Sequence, residues 1–564
     1  MSAVLEVREP SAQYLEEAPP SLVLQFERLA GAPGGVARLR ELILTLAVRG
    51  KLVSQETSDE PASALLQGIC AEKERLIADG RIKPDKASSA AIDQHPFEIP
   101  ETWIWVSMGE VVEIVRGITF PASEKAKESG PGRIACLRTA NVQESIEWDD
   151  LLFVSRSFMG REDQLLKMHD IVMSMANSRE LVGKVALVDQ IPHAESTFGG
   201  FLGVLRPWRI DPRYAMAVLR SSYARSTLID SSSQTTNIAN ISLGKLRPLP
   251  FPLPPLAEQA RIVARVDELM QLCDALEAKG RLEAQQHARL LETLLGTLTD
   301  STTPEELAAN WQRVAEHFDL LLDRPEAVDA LEQTLLALAI RGRLGTVKQQ
   351  DPHQSGGVND CPFTLPTDWK WTTLADLQPE FQNGASSRGD EGGRPTTVIR
   401  LADIKDQRVS LSNTRQVPIR EPDTVKYRLR DGDILITRVN GSADIVGQFN
   451  LVEGDPQAIY CDHFIRMRVR CDVLDPRYLT IFGATDVFRD RVRKLFISTA
   501  GQKTVNQGHI GSLPVAVPPL GEQVRIVARV TELRRLCADL RQRLAASQAT
   551  QSRLAEALVE SALA

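Results

Sequence analysis

The sequence predicts an α+β chain in which two β-rich, mixed α/β blocks are joined by long helices that pair as an antiparallel coiled coil, the halves being related by an internal pseudo-two-fold repeat. Three observations lead there. Pro254–Val266 returns as Pro518–Val530 at an offset of 264 residues, and extending the comparison to Leu276 and Leu540 gives 16 identities in 23 positions. Apolar residues behind each proline pair recur at spacings of four and three, the seam of a coiled coil: Ile262, Val266, Leu269, Cys273 and Leu276, then Ile526, Val530, Leu533, Cys537, Leu540 and Leu544. Before each long helix lies a block of short β-like runs opened by alternating tryptophans, Pro100-Glu-Thr-Trp103-Ile-Trp105 and Pro366-Thr-Asp-Trp369-Lys-Trp371.

Composition sets the outer limits. At 564 residues and 43% hydrophobic content the chain can build about four cores. Its seven cysteines are scattered without a Cys-x-x-Cys pair, as reduced thiols in a cytosolic protein would be. Residues 1–20 are acidic and lack an apolar core, and no run reaches the ~18 apolar residues of a membrane span, so a cytoplasmic location is expected. The net charge of −8 argues against a general polyanion binder. That charge is segregated: residues 96–250 carry 17 Lys+Arg against 18 Asp+Glu, and residues 362–519 carry 21 against 19, so the excess acid lies elsewhere. Nucleic-acid contact therefore belongs in the two near-neutral blocks, where Arg466-Met-Arg468-Val-Arg470 and Arg489-Asp-Arg491-Val-Arg493-Lys494 form basic clusters.

In chain order, residues 1–21 read as a disordered arm, rich in proline and acid without periodicity. Residues 22–95 form an N-terminal helical region and connector, with a helix expected over Ala62–Ala78 and a Lys83-Pro-Asp-Lys86 linker signature. The helix ending in Leu46-Ala47-Val-Arg49-Gly50-Lys-Leu52 recurs as Leu338-Ala339-Ile-Arg341-Gly342-Arg-Leu344, its glycine suited to a C-cap. Residues 96–253 are the first block, 254–361 a central helical region, 362–517 the second block and 518–564 the C-terminal coiled-coil helix. The blocks share a skeleton: Leu137–Val142 matches Ile399–Ile404, Asp170-Ile-Val matches Asp433-Ile-Leu, Val182-Gly183-Lys184 matches Val446-Gly447-Gln448, and Asp211-Pro-Arg-Tyr214 matches Asp475-Pro-Arg-Tyr478. Proline opens each long helix, with Glu258 and Glu522 near the positive end of the dipole.

No motif for chemistry stands out. There is no Gly-x-x-x-x-Gly-Lys-Ser/Thr loop and no Asn/Asp-Pro-Pro-aromatic tetrapeptide of an adenine amino-methyltransferase. Gly130-Pro-Gly132 follows a polar run and precedes a strand, unlike a dinucleotide loop; His193, His463 and His509 are isolated; Asp431-Gly-Asp433 lacks the remaining ligands of a calcium loop. What recurs is a loop type suited to reading bases. Thr119 and Ser386-Ser387-Arg388 follow the tryptophan strands, Ser178-Arg179 and Arg438-Val-Asn440 follow the Asp-led strands, and Gln234-Thr235-Thr236-Asn237 and Gln502-Lys503-Thr504-Val-Asn506 precede the long helices. Arg138, Asn141 and Lys184 in the first block, and Arg400 and Gln448 in the second, complete the set of candidate DNA contacts. Such side chains donate to phosphates and read base edges, Arg to guanine and Asn or Gln to adenine.

The doubled Pro-Pro-Leu-x-Glu-Gln-x-Arg-Ile-Val helix start, behind blocks opened by Pro-x-x-Trp-x-Trp, resembles the specificity subunit of type I restriction-modification systems, over nearly the whole chain from about residue 22. The resemblance implies two target recognition domains, each reading half of a bipartite DNA target, on helices that bind two modification (methyltransferase) subunits. It implies no catalysis and no cofactor in this chain; S-adenosylmethionine, ATP and Mg belong to the modification and restriction subunits. A helix over 256–298 is about 64 Å long, enough to set half-sites more than one DNA turn apart. The polar face that recurs in both helices, Glu258, Gln259, Arg261 and Arg265 with Glu522, Gln523, Arg525 and Arg529, is expected to dock those partners. A stand-alone DNA-binding regulator or a coiled-coil adaptor without enzymatic partners is the alternative.

Overall fold

Each block is entered through the glycine that ends a helix before it. Helix α1 (Gly35–Val48) closes with Lys51 N–H donating to Leu46 O at 2.9 Å, and Gly50 sits at φ +69°. A Cβ on Gly50 would lie 2.4 Å from the Pro100 ring and 3.1 Å from Trp103. Gly342 has the same φ, with Pro366 at 2.8 Å and Trp369 at 3.1 Å. Both the left-handed backbone and the close ring contact require glycine there.

The structure, a computed structural model, describes residues 26, 29–80, 95–230, 233–235, 238–344, 350–351, 361–385, 393–412, 414–499 and 501–563; the arm expected over 1–21 lies outside them. The chain divides into two units, the first running to Leu282 and taking in Gln548 onward, the second covering Glu283–Ser547.

In the first unit α1 and α2 (Ala62–Ala78, the span expected) precede β1 (Ile104–Ser107), which pairs antiparallel with the last strand of the block, β12 (Pro250–Leu253). Between them lie β2 (Val112–Arg116), β3 (Arg133–Leu137), β4 (Leu152–Ser155), β5 (Ile171–Ser174), β6 (Ala176–Asn177), β7 (Val185–Leu187), β8 (Ser196–Phe198), β9 (Leu202–Pro207), helices α3 (Pro212–Arg220) and α4 (Ser222–Asp230), β10 (Ser233–Thr235) and β11 (Ile238–Asn240). They form sheets ordered β2-β9-β5-β7, β4-β3-β8 and β10-β11-β6. The central strand β5 is buried on both faces: Ile171 and Met173 pack with α3 residues Tyr214 and Val218, and Val172 packs with Leu137 and Phe198 of the neighbouring sheet. That explains an apolar run with no polar alternation. Long helix α5 (Leu256–Asp300) follows β12.

The second unit repeats this plan. Helices α6 (Pro304–Glu316) and α7 (Pro325–Ile340) lead to β13 (Lys370–Thr373), β14 (Glu380–Asn383), β15 (Arg394–Ile399), β16 (Arg415–Ile419), β17 (Ile434–Thr437), β18 (Val439–Asn440), β19 (Phe449–Leu451), β20 (Ala458–Tyr460), β21 (Phe464–Arg468), α8 (Pro476–Gly483), α9 (Asp486–Lys494), β22 (Ile497–Thr499), β23 (Gln502–Thr504), β24 (Pro514–Val517) and α10 (Leu520–Leu563). The sheets are β14-β21-β17-β19, extended by the 404–409 hairpin, then β16-β15-β20, β22-β23-β18 and β13-β24. Every sheet of the first unit thus has its counterpart.

The long helices carry the expected seams. Leu269 and Cys273 are buried in the first unit's core with Ala555 of the tail of α10. In the second unit Leu291, Leu295 and Leu298 share a core with α7 and Cys537. Helix α5 belongs to the first unit through Leu282 and to the second from Glu283, and α10 passes the other way at Ser547. Among the described residues no helix is long and apolar enough to cross a membrane.

Candidate nucleic-acid interface

Several motifs shared by the two blocks are fixing devices. In Asp211-Pro212-Arg213-Tyr214 the aspartate caps α3 by accepting from Arg213 N–H at 2.8 Å, the proline takes the first helical turn, and the buried Tyr214 hydroxyl donates to Pro252 O at 2.8 Å. Asp475 and Tyr478 do the same, with Ala516 O as the tyrosine's acceptor at 2.7 Å. The aspartates before β5 and β17 are buried and paired: Asp170 with Arg206 at 2.7 Å, Asp433 with Arg468 at 2.7 Å. These pairs anchor the strands that lead to the candidate recognition loops.

The expected exposed partner face is corrected at its centre. Gln259 is buried, accepts from Asp211 N–H at 2.8 Å and donates to Pro254 O at 3.0 Å; Gln523 is buried, accepts from Asp475 N–H at 2.7 Å and donates to Pro518 O at 2.8 Å. Glu258 is buried too, accepting from Trp103 Nε1 at 2.9 Å and from Gln55. Burial pushes its carboxyl above the ordinary range, with those two hydrogen bonds pulling the other way. The glutamine therefore ties block to helix in both copies, and the glutamate adds to this in the first. Of the rest, Arg261 pairs with Asp59 at 2.6 Å, Glu522 with Arg525 at 2.8 Å, and Arg265 and Arg529 with the glutamates three residues on, Glu268 and Glu532.

One arginine of each basic cluster is buried, Arg466 and Arg489, whereas Arg470, Arg493 and Lys494 are exposed. Arg466 is buried against Glu380, Arg468 holds Asp433, and Arg470 pairs with Asp472. Buried Arg489 donates to the carbonyls of Ala443, Asp444 and Val446, and Arg225 in the first unit donates to Glu180 O at 2.7 Å. Each thereby fastens the loop that follows its Asp-led strand. Among the candidate contacts, Asn141 is buried with both amide donations made to backbone, to Glu147 O and Asp149 O, and Oδ1 accepting from Arg138 N–H. Arg138 pairs with Asp150 and Arg400 with the buried Asp403 in the equivalent turn. These three hold a turn rather than present an open edge.

The remaining candidates converge. In the first unit β6 pairs with β11, aligning Asn177 with Ala239, and β11 pairs with β10, aligning Ala239 with Gln234; this joins the Ser178-Arg179 loop to the hairpin. Ile118 N–H donates to Phe198 O, which brings the loop of exposed Thr119 to the end of β8. Arg179 is exposed, and Lys184 Nζ donates to Gln143 Oε1 at 3.0 Å. In the second unit Asn440 of β18 lies opposite Lys503 of β23, whose Nζ donates to Gly441 O at 3.0 Å. Arg438 donates to Asp462 O, Asn440 accepts from Ser442 N–H, Thr504 donates to Ile497 O, and Asn506 caps the turn at His509. Gln502 is exposed and Gln448 half-buried. Gln234 and Thr235 lie in β10; Thr236, Asn237, Ser386, Ser387 and Arg388 lie outside the described residues.

A fourth element at each convergence was not foreseen. The turn Gly199-Gly200-Phe201 runs between β8 and β9, and Met175 N–H donates to Phe201 O at 2.8 Å; in the second unit Cys461-Asp462-His463 occupies the same turn, and Arg438 N–H donates to His463 O at 2.7 Å. Cys461, Asp462 and His463 bring ligand atoms within 4.8 Å of one another, with Cys461 buried and its thiol pushed up to about 11 by that burial. The signal lay in the alignment: two turns between matching strands, equal in length and unlike in content. Each unit thus presents a rim of polar and basic side chains on a strand framework held by buried ion pairs, an arrangement that can donate to phosphates and to base edges.

Comparison with known proteins accords with this geometry. Residues 100–286 match the family model described as the type I restriction modification DNA specificity domain. The chain is 30% identical over 574 residues to the type I restriction enzyme EcoEI specificity subunit of Escherichia coli, covering 94% of each chain. It is 28% identical over 584 residues to the EcoAI specificity subunit of the same species, again covering 94% of each. A chain solved in work on complex assembly and conformational transition of the type I R-M system matches with a TM-score of 0.50 and 19% identity, over 83% of this chain and 99% of that one, a likeness of fold.

Proposed function

The chain belongs to the family of type I restriction enzyme specificity subunits, and from that premise we propose that each of its two blocks reads one half of a bipartite, asymmetric DNA target. The carrying observation is the recurrence of one hydrogen-bonded loop framework in both units with different side chains on it. Thr119, Ser178, Arg179, Lys184 and residues 234–237 would serve one half-site; Arg438, Asn440, Gln448, Gln502, Lys503, Thr504, Asn506 and residues 386–388 would serve the other. Contacts to phosphate fix the register and contacts to base edges select the sequence.

The helices set the gap between half-sites and dock two modification subunits. With Glu258, Gln259 and Gln523 buried, docking falls to the exposed side of the helix starts, where Leu256, Leu520 and Val524 are exposed apolar residues beside Arg525 and Arg529. The chain performs no reaction of its own, and S-adenosylmethionine, ATP and Mg belong to its modification and restriction partners in the cytoplasm. Expressing the chain with its modification subunits in a host free of other methylation, and mapping methylated adenines across the genome, tests the reading. It predicts a motif of two specified segments around an unspecified gap; a single continuous motif, or no chain-dependent methylation, would contradict it.

A further inference from the structure

At the centre of the first unit's loop cluster stands an aromatic ring open to solvent. Phe201 is 68% exposed, at the tip of the turn between β8 and β9. An exposed phenylalanine on a turn is by itself unremarkable, but the backbone that carries this one is fixed on several sides. Its carbonyl accepts from Met175 N–H at 2.8 Å and Ala176 N–H at 3.3 Å, and Leu202 N–H closes the turn onto Gly199 O at 2.8 Å. Both preceding residues are glycines in close contact: a Cβ on Gly200 would lie 3.1 Å from Thr119 Oγ1, and Gly117 leaves no room for a Cβ beside Gly199 O. The ring therefore projects from a rigid turn touched by the Thr119 loop and by the strand leading to Ser178 and Arg179.

The second unit carries the same turn with a different side chain. His463 takes the place of Phe201; its carbonyl accepts from Arg438 N–H at 2.7 Å, and Phe464 N–H closes onto Cys461 O at 3.1 Å. The imidazole is about half exposed, with Nδ1 3.2 Å from Asp462 Oδ1. One backbone position, hydrogen-bonded in each unit to the segment that leads into a candidate DNA-reading loop, thus presents an apolar ring in one copy and a hydrogen-bonding ring in the other.

We propose that this position reads a base in each half-site, and that Phe201 makes the apolar contact with the C5-methyl group of a thymine, while His463 hydrogen-bonds a base edge. The inference rests on the reading of the blocks as DNA-recognition units. A base pair offers an apolar group to the major groove only where thymine is present, since the other edges offer donors and acceptors. A fixed, exposed phenyl ring matches that group and complements no polar edge.

The test uses the full chain assembled with its modification subunits and duplexes carrying the mapped motif. Each thymine of the half-site assigned to residues 96–250 is replaced singly by deoxyuridine, which lacks only the methyl group. The wild-type complex should lose about three- to five-fold in methylation rate at one such thymine, the scale of one buried methyl. Phe201→Leu should keep that discrimination and Phe201→Ala should abolish it, with the melting temperature unchanged because the side chain is exposed. A half-site without thymine, equal rates for thymine and uracil in the wild type, or discrimination that survives Phe201→Ala would overturn the proposal. Uniform loss across all sequences in Phe201→Ala would make the ring a wedge between base steps and overturn it as well. Absence of any bipartite motif would instead remove the recognition reading beneath it.

Discussion

Gln259 accepts a hydrogen bond from the backbone N–H of Asp211 at 2.8 Å, and 264 residues later Gln523 accepts one from Asp475 at 2.7 Å. The bond joins the N-cap of a block helix to the first turn of a long helix. In each copy the other end of the carboxamide donates to the proline carbonyl five residues before it. The most recognisable motif in the sequence is therefore a staple that fixes how each block sits on its own helix.

Replacing either glutamine by alanine strands buried polar groups at both ends of the staple. Each replacement should cost about 1–3 kcal/mol of stability, seen as a lower melting temperature of the purified chain. A variant that melts like the wild type but fails to bind modification subunits would return the residue to a docking role.

Arg489 and Arg225 fasten the proposed recognition loops of the second and first units through backbone carbonyls. Arg489→Ala should leave the 443–446 loop loose and lower methylation several-fold for targets that probe the second half-site, a net loss of about 1 kcal/mol once water replaces the lost donor at the three carbonyls. Arg225→Ala should weaken readout of the first half-site instead. Competition assays with duplexes altered in one half-site at a time separate the two; equal effects on both half-sites would show that the loops are not read independently.

Much of this organisation was legible because it is written in local patterns. The four-three seams, the helix over Ala62–Ala78 and the glycine caps at Gly50 and Gly342 each depend on neighbours within a few turns of chain, and the offset-264 repeat needs only the identity of residues, not their contacts. The fate of polar side chains was not. Glu258, Gln259 and Gln523 look like a solvated helix face until Trp103, Gln55, Asp211 and Asp475 are brought to them from 48 or more residues away. Arg466 and Arg468 were misleading for the same reason, since Glu380 and Asp433 reach them only across sheet pairings. Phe201 and His463 were missed because their setting depends on the parallel pairing of β3 with β8 and of β15 with β20, which joins segments about sixty residues apart.

On the proposed role of the helices as spacers, their exposed middles should tolerate shortening. Residues 278–284 of α5 are all exposed, and residues 545–551 of α10 are exposed or half-exposed. Deleting both heptads preserves the facing of each seam and shortens the helices by about 10 Å, or about three base pairs of DNA. Methylation mapping should then report the same half-sites with a gap shorter by about three. Changed half-sites at an unchanged gap would contradict the spacer role.

The claim that the two blocks read separately is tested most directly by exchanging residues 96–250 for the corresponding block of another specificity subunit and mapping methylation in the host. The account predicts a motif in which one half-site is replaced while the other half-site and the gap are retained. Loss or change of both half-sites would contradict it.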